Sequence, residues 1–216
     1  MANLLMIYDN EDEKMGYYFE ASHQDINDRL VNHLTNINLH SLNTEQCLAN
    51  PIEHYISAFN ANPFIFIAYS HGWDDAIDIG GNQYINPKNA YFFTETLFYA
   101  CSCLTAKTLG GHLRNQGCRV FMGFNTIITS VCNETDTVFQ ECENTFILHF
   151  LTTNATIQES LKYMYKKYGQ SQSFLREHYD TFTASTLGAN LSSFEILCDE
   201  ADLLLDKTFF SKKQES

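Results

Sequence analysis

The alternation of apolar and polar positions divides the chain into strands and helices that follow one another. Residues 3–9 (NLLMIYD), 64–70 (FIFIAYS), 97–102 (LFYACS) and 120–124 (VFMGF) are short, nearly continuous apolar runs with polar or glycine borders. Such runs mark strands buried on both faces. Between them the spacing becomes helical. Ser22 with Asp25 resembles a capping box, and Ile26, Leu30, Leu34 and Ile37 then repeat on one face. INLHSLN, 37–43, reads as a further short strand. Asn50-Pro51 opens or kinks a helix carrying Ile52, Tyr55, Ile56 and Phe59 on one side. The stretch 77–86 (IDIGGNQYIN) predicts a hairpin around a glycine turn. A helix is predicted over Thr105–Asn115, stopping near Gly117. Residues 134–167 are mostly helical in spacing, with Phe139, Cys142, Phe146, Ile147 and Phe150, then Ile157, Leu161, Met164 and Tyr165 as the apolar set. The stretch 193–206 (SFEILCDEADLLLD) fits a strand or a helix equally.

Strands alternating with helices imply an α/β fold, a mostly parallel sheet with helices on both faces. No repeat and no linker rich in Pro, Gly or Ser divides it, so one domain over 1–210 is expected, with a solvated tail at 211–216. Ligands of such sheets bind at the carboxyl ends of the strands. His71 stands at one such end, and Cys101, Ser102 and Cys103 stand at another. If the two strands are neighbours, an imidazole and a thiol share one sheet edge. A thiolate can then attack a carbonyl while the imidazole handles the proton. A helix beginning near Thr105 would lower the thiol pKa with its positive end. The N–H groups of Gly72 and Cys103 would hold the oxyanion.

Charge and cysteine content narrow the partners. The 216 residues carry a formal net charge of −13, from 26 acidic and 13 basic side chains. That surface repels phosphate backbones, so nucleic acid is a poor partner and none is expected, while basic peptides or protein surfaces are tolerated. The start MANLLMIYDNEDEK lacks the pattern of a signal peptide, and no apolar stretch is long enough to span a bilayer. No membrane insertion is expected. Seven cysteines, an odd count without paired CxxC spacing, read as reduced thiols of a cytoplasmic protein. The sequons at Asn133, Asn154 and Asn190 then carry no meaning.

The segments IFIAYSHG and LFYACSCLTA resemble the two signatures of the caspase-like cysteine peptidases, which include caspases, metacaspases, legumain, clostripain, gingipain, separase and bacterial CHAT proteases. Members carry an apolar strand ending in His-Gly, then one ending in Ala/Ser-Cys followed by small residues. Ser102-Cys103-Leu104-Thr105-Ala106 is similar to the CHAT pattern Ala-Cys-x-Thr/Ser-Gly/Ala. LGGHLRNQGCRVFMGFN resembles the helix and strand that follow. FEILCDEADLLL resembles the closing element, with Cys198 and Glu200 in place of Gly and Pro. The resemblance spans most of residues 1–205. It implies a caspase-like fold, a cysteine endopeptidase with no cofactor and no metal, and a protein substrate. By analogy it extends to bacterial defence or programmed cell death. Under it, His71 is general acid and base, Cys103 is nucleophile, and Gly72 and Cys103 are the oxyanion donors.

Cys101 is the rival nucleophile. It follows Ala100, but it lies one step deeper on the strand, so Cys103 at the open end is preferred. The position two before the nucleophile, often acidic in clostripain relatives, is Cys101 here, so no third catalytic member is assigned. His71, Cys101 and Cys103 as a zinc site lack a fourth ligand at ordinary spacing. Asp74 and Asp75 follow His71-Gly72 directly. They read as solvated loop charges or as the substrate-binding residues that select Arg or Lys, with a small residue as the alternative if the pocket is shallow. A basic pocket choosing Asp would need converging arginines, and the chain has only Arg29, Arg114, Arg119 and Arg176. Two rivals stand outside this class. One is an inactive caspase-like scaffold or binding module. The other is a flavodoxin-like domain, against which YDNEDEKMGYY offers no phosphate-binding glycine loop. An activating partner or a homo-oligomer stays open.

Overall fold

Continuous apolar runs pair only where both faces can be covered, and that requirement sets the architecture. The computed structural model describes residues 2–30, 33, 37–59, 62–130 and 135–211. Among them, β1 (Ala2–Tyr8), β2 (Ile37–Leu42), β3 (Phe64–Tyr69), β7 (Leu97–Cys101), β8 (Val120–Phe124) and β9 (Phe194–Cys198) form a six-stranded sheet in the order β2-β1-β3-β7-β8-β9. All neighbours are parallel except β8 and β9. The protein is therefore α/β with a mostly parallel sheet, an arrangement consistent with a caspase-like fold.

Residues alternate between the two faces of each strand. Ile65, Ile67 and Tyr69 pack with α1 (Gly16–Leu30), α5 (Asp136–Thr152), α6 (Ile157–His178) and α7 (Thr181–Ser192). Phe64, Phe66 and Ala68 pack with α2 (Thr44–Ala49), α3 (Ile52–Ile56) and α4 (Leu109–Asn115). The predicted hairpin is β5 (Ile77–Ile79) and β6 (Asn82–Ile85), turning at Gly80 and Gly81 with φ of 57° and 76°. Two consecutive left-handed positions suit a primed hairpin turn. This hairpin is held against the main sheet by Asp9, which accepts hydrogen bonds from the Gly80 N–H (3.0 Å) and the Thr44 hydroxyl (2.8 Å).

Several boundaries differ from the sequence reading. The first helix begins at Gly16, six residues before Ser22, because the Asp12 carboxylate and carbonyl collect the amides of Lys14, Met15 and Gly16. Ser22 is buried inside that helix. Ile37 opens β2 rather than closing a helical face, and Leu34 lies outside the described residues. α4 begins at Leu109, not Thr105. Residues 103–108 are turns, tied to the end of β8 by Leu104 N–H to Thr126 O (3.1 Å) and Ala106 N–H to Phe124 O (3.0 Å). The long helical stretch breaks at Thr156, which forms a capping box with Glu159 and starts α6. Tyr165 is exposed, and Tyr168 takes the core position instead. α7, capped by Asp180, has no counterpart in the sequence reading. Residues 194–198 form the antiparallel edge strand and 200–204 a 3-10 turn, so the ambiguous segment is partly both. Ser211 ends a 3-10 turn; the rest of the expected tail, and Glu134, lie outside the described residues.

Candidate active site

β3 and β7 are parallel neighbours, with Tyr69 opposite Cys101. One residue further, the hydroxyls of Ser70 and Ser102 stand 3.4 Å apart. His71 and Gly72 then form β4, a two-residue strand paired with β5. His71 is thus fixed in a small second sheet rather than carried by a free loop. Gly72 explains itself by contact. A Cβ there would run into the Cys103 carbonyl oxygen, and would lie 2.8 Å from Thr105 Cγ2 and 2.9 Å from Ser102 Cβ. Only glycine allows the His-Gly strand and the Cys103 turn to touch. Leu104, the next residue, sits in the left-handed region with φ 63°. A non-glycine residue there carries local strain, so the surrounding bonds must hold the turn in place.

His71 is half-exposed. Its Nε2 lies 3.1 Å from Asp12 Oδ2, and its ring meets Phe19 edge-on at 5.5 Å. Asp12 comes from the connection between β1 and α1. Its other oxygen accepts the amides of Lys14 (2.9 Å) and Met15 (2.7 Å). Partial burial opposes the Asp12 charge, but these amides and the imidazole outweigh it, and its pKa falls below the ordinary 3.8. A carboxylate that the sequence reading did not single out therefore stands beside the imidazole, and it comes from a different loop.

Cys103 is partly buried and Cys101 fully so. The Ile128 N–H donates to the Cys103 sulfur at 3.4 Å, and the thiol lies 3.8 Å from the Ile128 carbonyl as a donor. Burial pushes the Cys103 pKa up, against the amide of Ile128, and the Glu143 carboxylate pushes it further. The expected lowering by a helix start at Thr105 does not occur, because that helix begins at Leu109 and the thiol lies in a desolvated pocket. Cys101 is pushed up further still by complete burial.

His71, Cys101 and Cys103 all line one cavity of about 340 Å³ at the carboxyl edge of the sheet. Its wall is largely apolar, with Phe19, Ile127 and Ile128 among its residues, and Glu143 of α5 lines it too. Glu143 is 3% exposed and accepts a hydrogen bond from the Tyr18 hydroxyl at 3.0 Å. Burial raises its pKa to about 7, against that bond, and Asp136 adds to the rise. Asp74 and Asp75 do not line the cavity. The Asp74 carbonyl accepts the amides of Thr108 and Leu109 at the start of α4, and its carboxylate pairs with Lys107 at 3.6 Å. Among the described residues no cluster of three His, Cys, Asp or Glu side chains is arranged to hold a metal ion, and no helix is long and apolar enough to cross a membrane.

Asp12 and Glu143 are the site residues that the sequence reading missed. Asp12 sits in the acidic tract DNEDEK, where every carboxylate looks alike. Glu143 had a usable signal: it lies on the apolar stripe of its helix, between Phe139 and Phe146.

Fold and cavity define a class in general terms: an α/β domain whose ligand-sized cavity opens at the carboxyl edge of the sheet and carries a thiol and a carboxylate-backed imidazole. Comparison of the chain with protein-family models finds no match, and comparison with curated proteins finds none either.

Proposed function

We propose that the protein is a caspase-like cysteine endopeptidase acting through Cys103 and His71. The observation that carries this reading is the contact between the two signature stretches: Gly72 lies so close to the Cys103 turn that no larger residue fits, and His71 and Cys103 line the same cavity. The raised pKa keeps Cys103 neutral at rest, so the thiol proton leaves as the thiol attacks. Cys103 Sγ forms a bond to the carbonyl carbon of the scissile peptide while its proton passes to His71. Asp12 offsets the charge of the imidazolium that results. The carbonyl oxygen becomes an oxyanion, for which the N–H groups of Gly72 and Cys103 are the proposed donors. The C–N bond then breaks, the leaving amine takes the proton from His71, and a thioester remains. Water loses a proton to His71 as it adds to the thioester; the C–S bond then breaks, His71 returns the proton to the Cys103 sulfur, and the acid leaves.

In the resting arrangement each partner is held elsewhere, Cys103 by Ile128 and His71 by Asp12. Substrate would exchange the Ile128 contact for the imidazole, since catalytic contacts often form only in the complex. The substrate in this reading is a protein, and the mechanism needs no cofactor. The role in defence or programmed cell death rests on the resemblance alone.

The test is labelling by a broad thiol-directed activity probe, with the modified residue mapped. Cys103 is expected to carry the label. Cys103→Ala, His71→Ala and the double variant should be equally inactive, each down by about 10³-fold or more, because members of one catalytic unit do not add. Label on Cys101, with Cys103→Ala fully active, would move the nucleophile. Folded chain that takes no label on either cysteine would favour a binding module.

A further inference from the structure

We propose that Glu143 is the selecting group of this cavity, binding the ammonium or guanidinium end of a basic side chain. That this side chain belongs to a substrate rests on the peptidase reading; the cation site does not.

A carboxylate 3% exposed in the core of a domain normally has a cationic partner or several donors. Glu143 has the Tyr18 hydroxyl, and among the described residues no Lys, Arg or His forms an ion pair with it. It nonetheless lines an open cavity rather than a sealed core. The groups around it make the deficit worse. Asp136 on its own helix adds negative charge, and Tyr18 from α1, Tyr168 from α6, Cys101 from β7 and the Cys103 thiol bring no positive charge. Among the described residues His71 is the one cationic candidate lining the cavity, and its Nε2 is engaged by Asp12.

A basic side chain supplies what is missing. Its aliphatic stem lies along an apolar wall while its charged end reaches the carboxylate. A guanidinium also gains from the aromatic residues Phe19, Tyr18 and Tyr69, which line the same space. An acidic side chain would meet a second carboxylate in a desolvated pocket and be rejected. Asp74 and Asp75 cannot perform this selection from where they stand, outside the cavity and, for Asp74, already facing Lys107.

The experiment is calorimetric titration of the full chain with agmatine, an alkyl stem with a guanidinium at one end and an ammonium at the other, and with butylurea as an uncharged counterpart. The Cys103→Ala variant is used so that no chemistry follows. Agmatine should bind and butylurea should not compete. Glu143→Gln, which keeps an oxygen for the Tyr18 bond, should weaken agmatine at least tenfold while remaining folded. Affinity should rise about tenfold between pH 6 and pH 8, as a carboxyl group with a pKa of about 7 loses its proton. The same rise in the His71→Ala variant removes the imidazole as its source. This pH series needs no change at Glu143 and stands if that variant misfolds. Equal agmatine binding by Glu143→Gln, or no binding by the parent chain at millimolar agmatine, overturns the proposal. Labelled Cys103 with no agmatine site would sink this inference and leave the peptidase reading intact. Agmatine binding without any thiol labelling would do the reverse.

Discussion

Two carboxylates, Asp12 beside His71 and Glu143 in the cavity wall, have been driven in opposite directions. Asp12 lies in the turn after β1, where two backbone amides and an imidazole converge on it, and its pKa falls. Glu143 lies on α5 with one hydroxyl donor, and burial raises its pKa to about 7. The chemical group is nearly the same; the number of donors and the distance from water differ. A turn can aim successive N–H groups at one oxygen, whereas a helix interior has already used its amides on its own carbonyls. The difference divides the labour at the site. The stabilised carboxylate can hold an imidazole, and the unsatisfied one can wait for a cation.

The largest expected effect tests the first half. Asp12→Asn keeps the shape and removes the charge, so kcat should fall by about 10²-fold through loss of imidazolium stabilisation and orientation. KM should stay within a factor of about three. A rise in KM with kcat intact would mean that Asp12 shapes the cavity rather than serving His71. His71→Ala should remain the deeper loss of the two.

The second effect is in stability and has a definite sign. Glu143 keeps its proton to about pH 7 in the folded chain, against an ordinary value of 4.5. The folded state therefore binds more protons than the unfolded one between those values, and stability falls as pH rises through that window. The displacement corresponds to about 3 kcal/mol as an upper figure. Glu143→Gln should be about 2 to 3 kcal/mol more stable than the parent chain at pH 8 and no more stable at pH 4. Urea unfolding at the two pH values measures this. Asp12 carries the opposite sign: its lowered pKa adds stability above its ordinary 3.8 that is lost as pH falls through the lowered value. A Glu143→Gln chain that gains nothing at pH 8 would show that water or a bound cation already satisfies the carboxylate.

The same contrast explains what could be read without coordinates. β1, β3, β7 and β8 were legible because strands covered on both faces need unbroken apolar runs, and His71 and Cys103 follow directly from where two of those runs stop. The start of α4 was not legible. Residues 105–108 have helical spacing, but the amides of Leu104, Ala106 and Thr108 are taken by Thr126, Phe124 and Asp74, which lie far away in sequence. The start of α1 was misplaced for a local reason, since Ser22 and Asp25 mimic a cap that Asp12 provides. α7 was missed because its cap, Asp180, precedes a run with little contrast between its faces, TFTASTLGANLS. Asp12 itself cannot be chosen from Asp9, Glu11 and Glu13 until the turn folds and aims one carboxylate at His71.

The smallest effect concerns the carboxylates that the sequence placed nearest to His71. Asp74 is exposed, pairs loosely with Lys107 at 3.6 Å, and serves α4 through its backbone carbonyl, which a substitution keeps. Such surface pairs are worth well under 1 kcal/mol. Asp74→Ala and Asp75→Ala should each change stability by less than about 0.5 kcal/mol and leave agmatine affinity within a factor of two. Added salt should erase even that remainder, because exposed charges are screened within about 10 Å at 0.1 M, while binding governed by Glu143 should keep most of its strength. A fivefold loss of agmatine affinity in either variant, removed by salt, would place the selection at the cavity rim and take it away from Glu143.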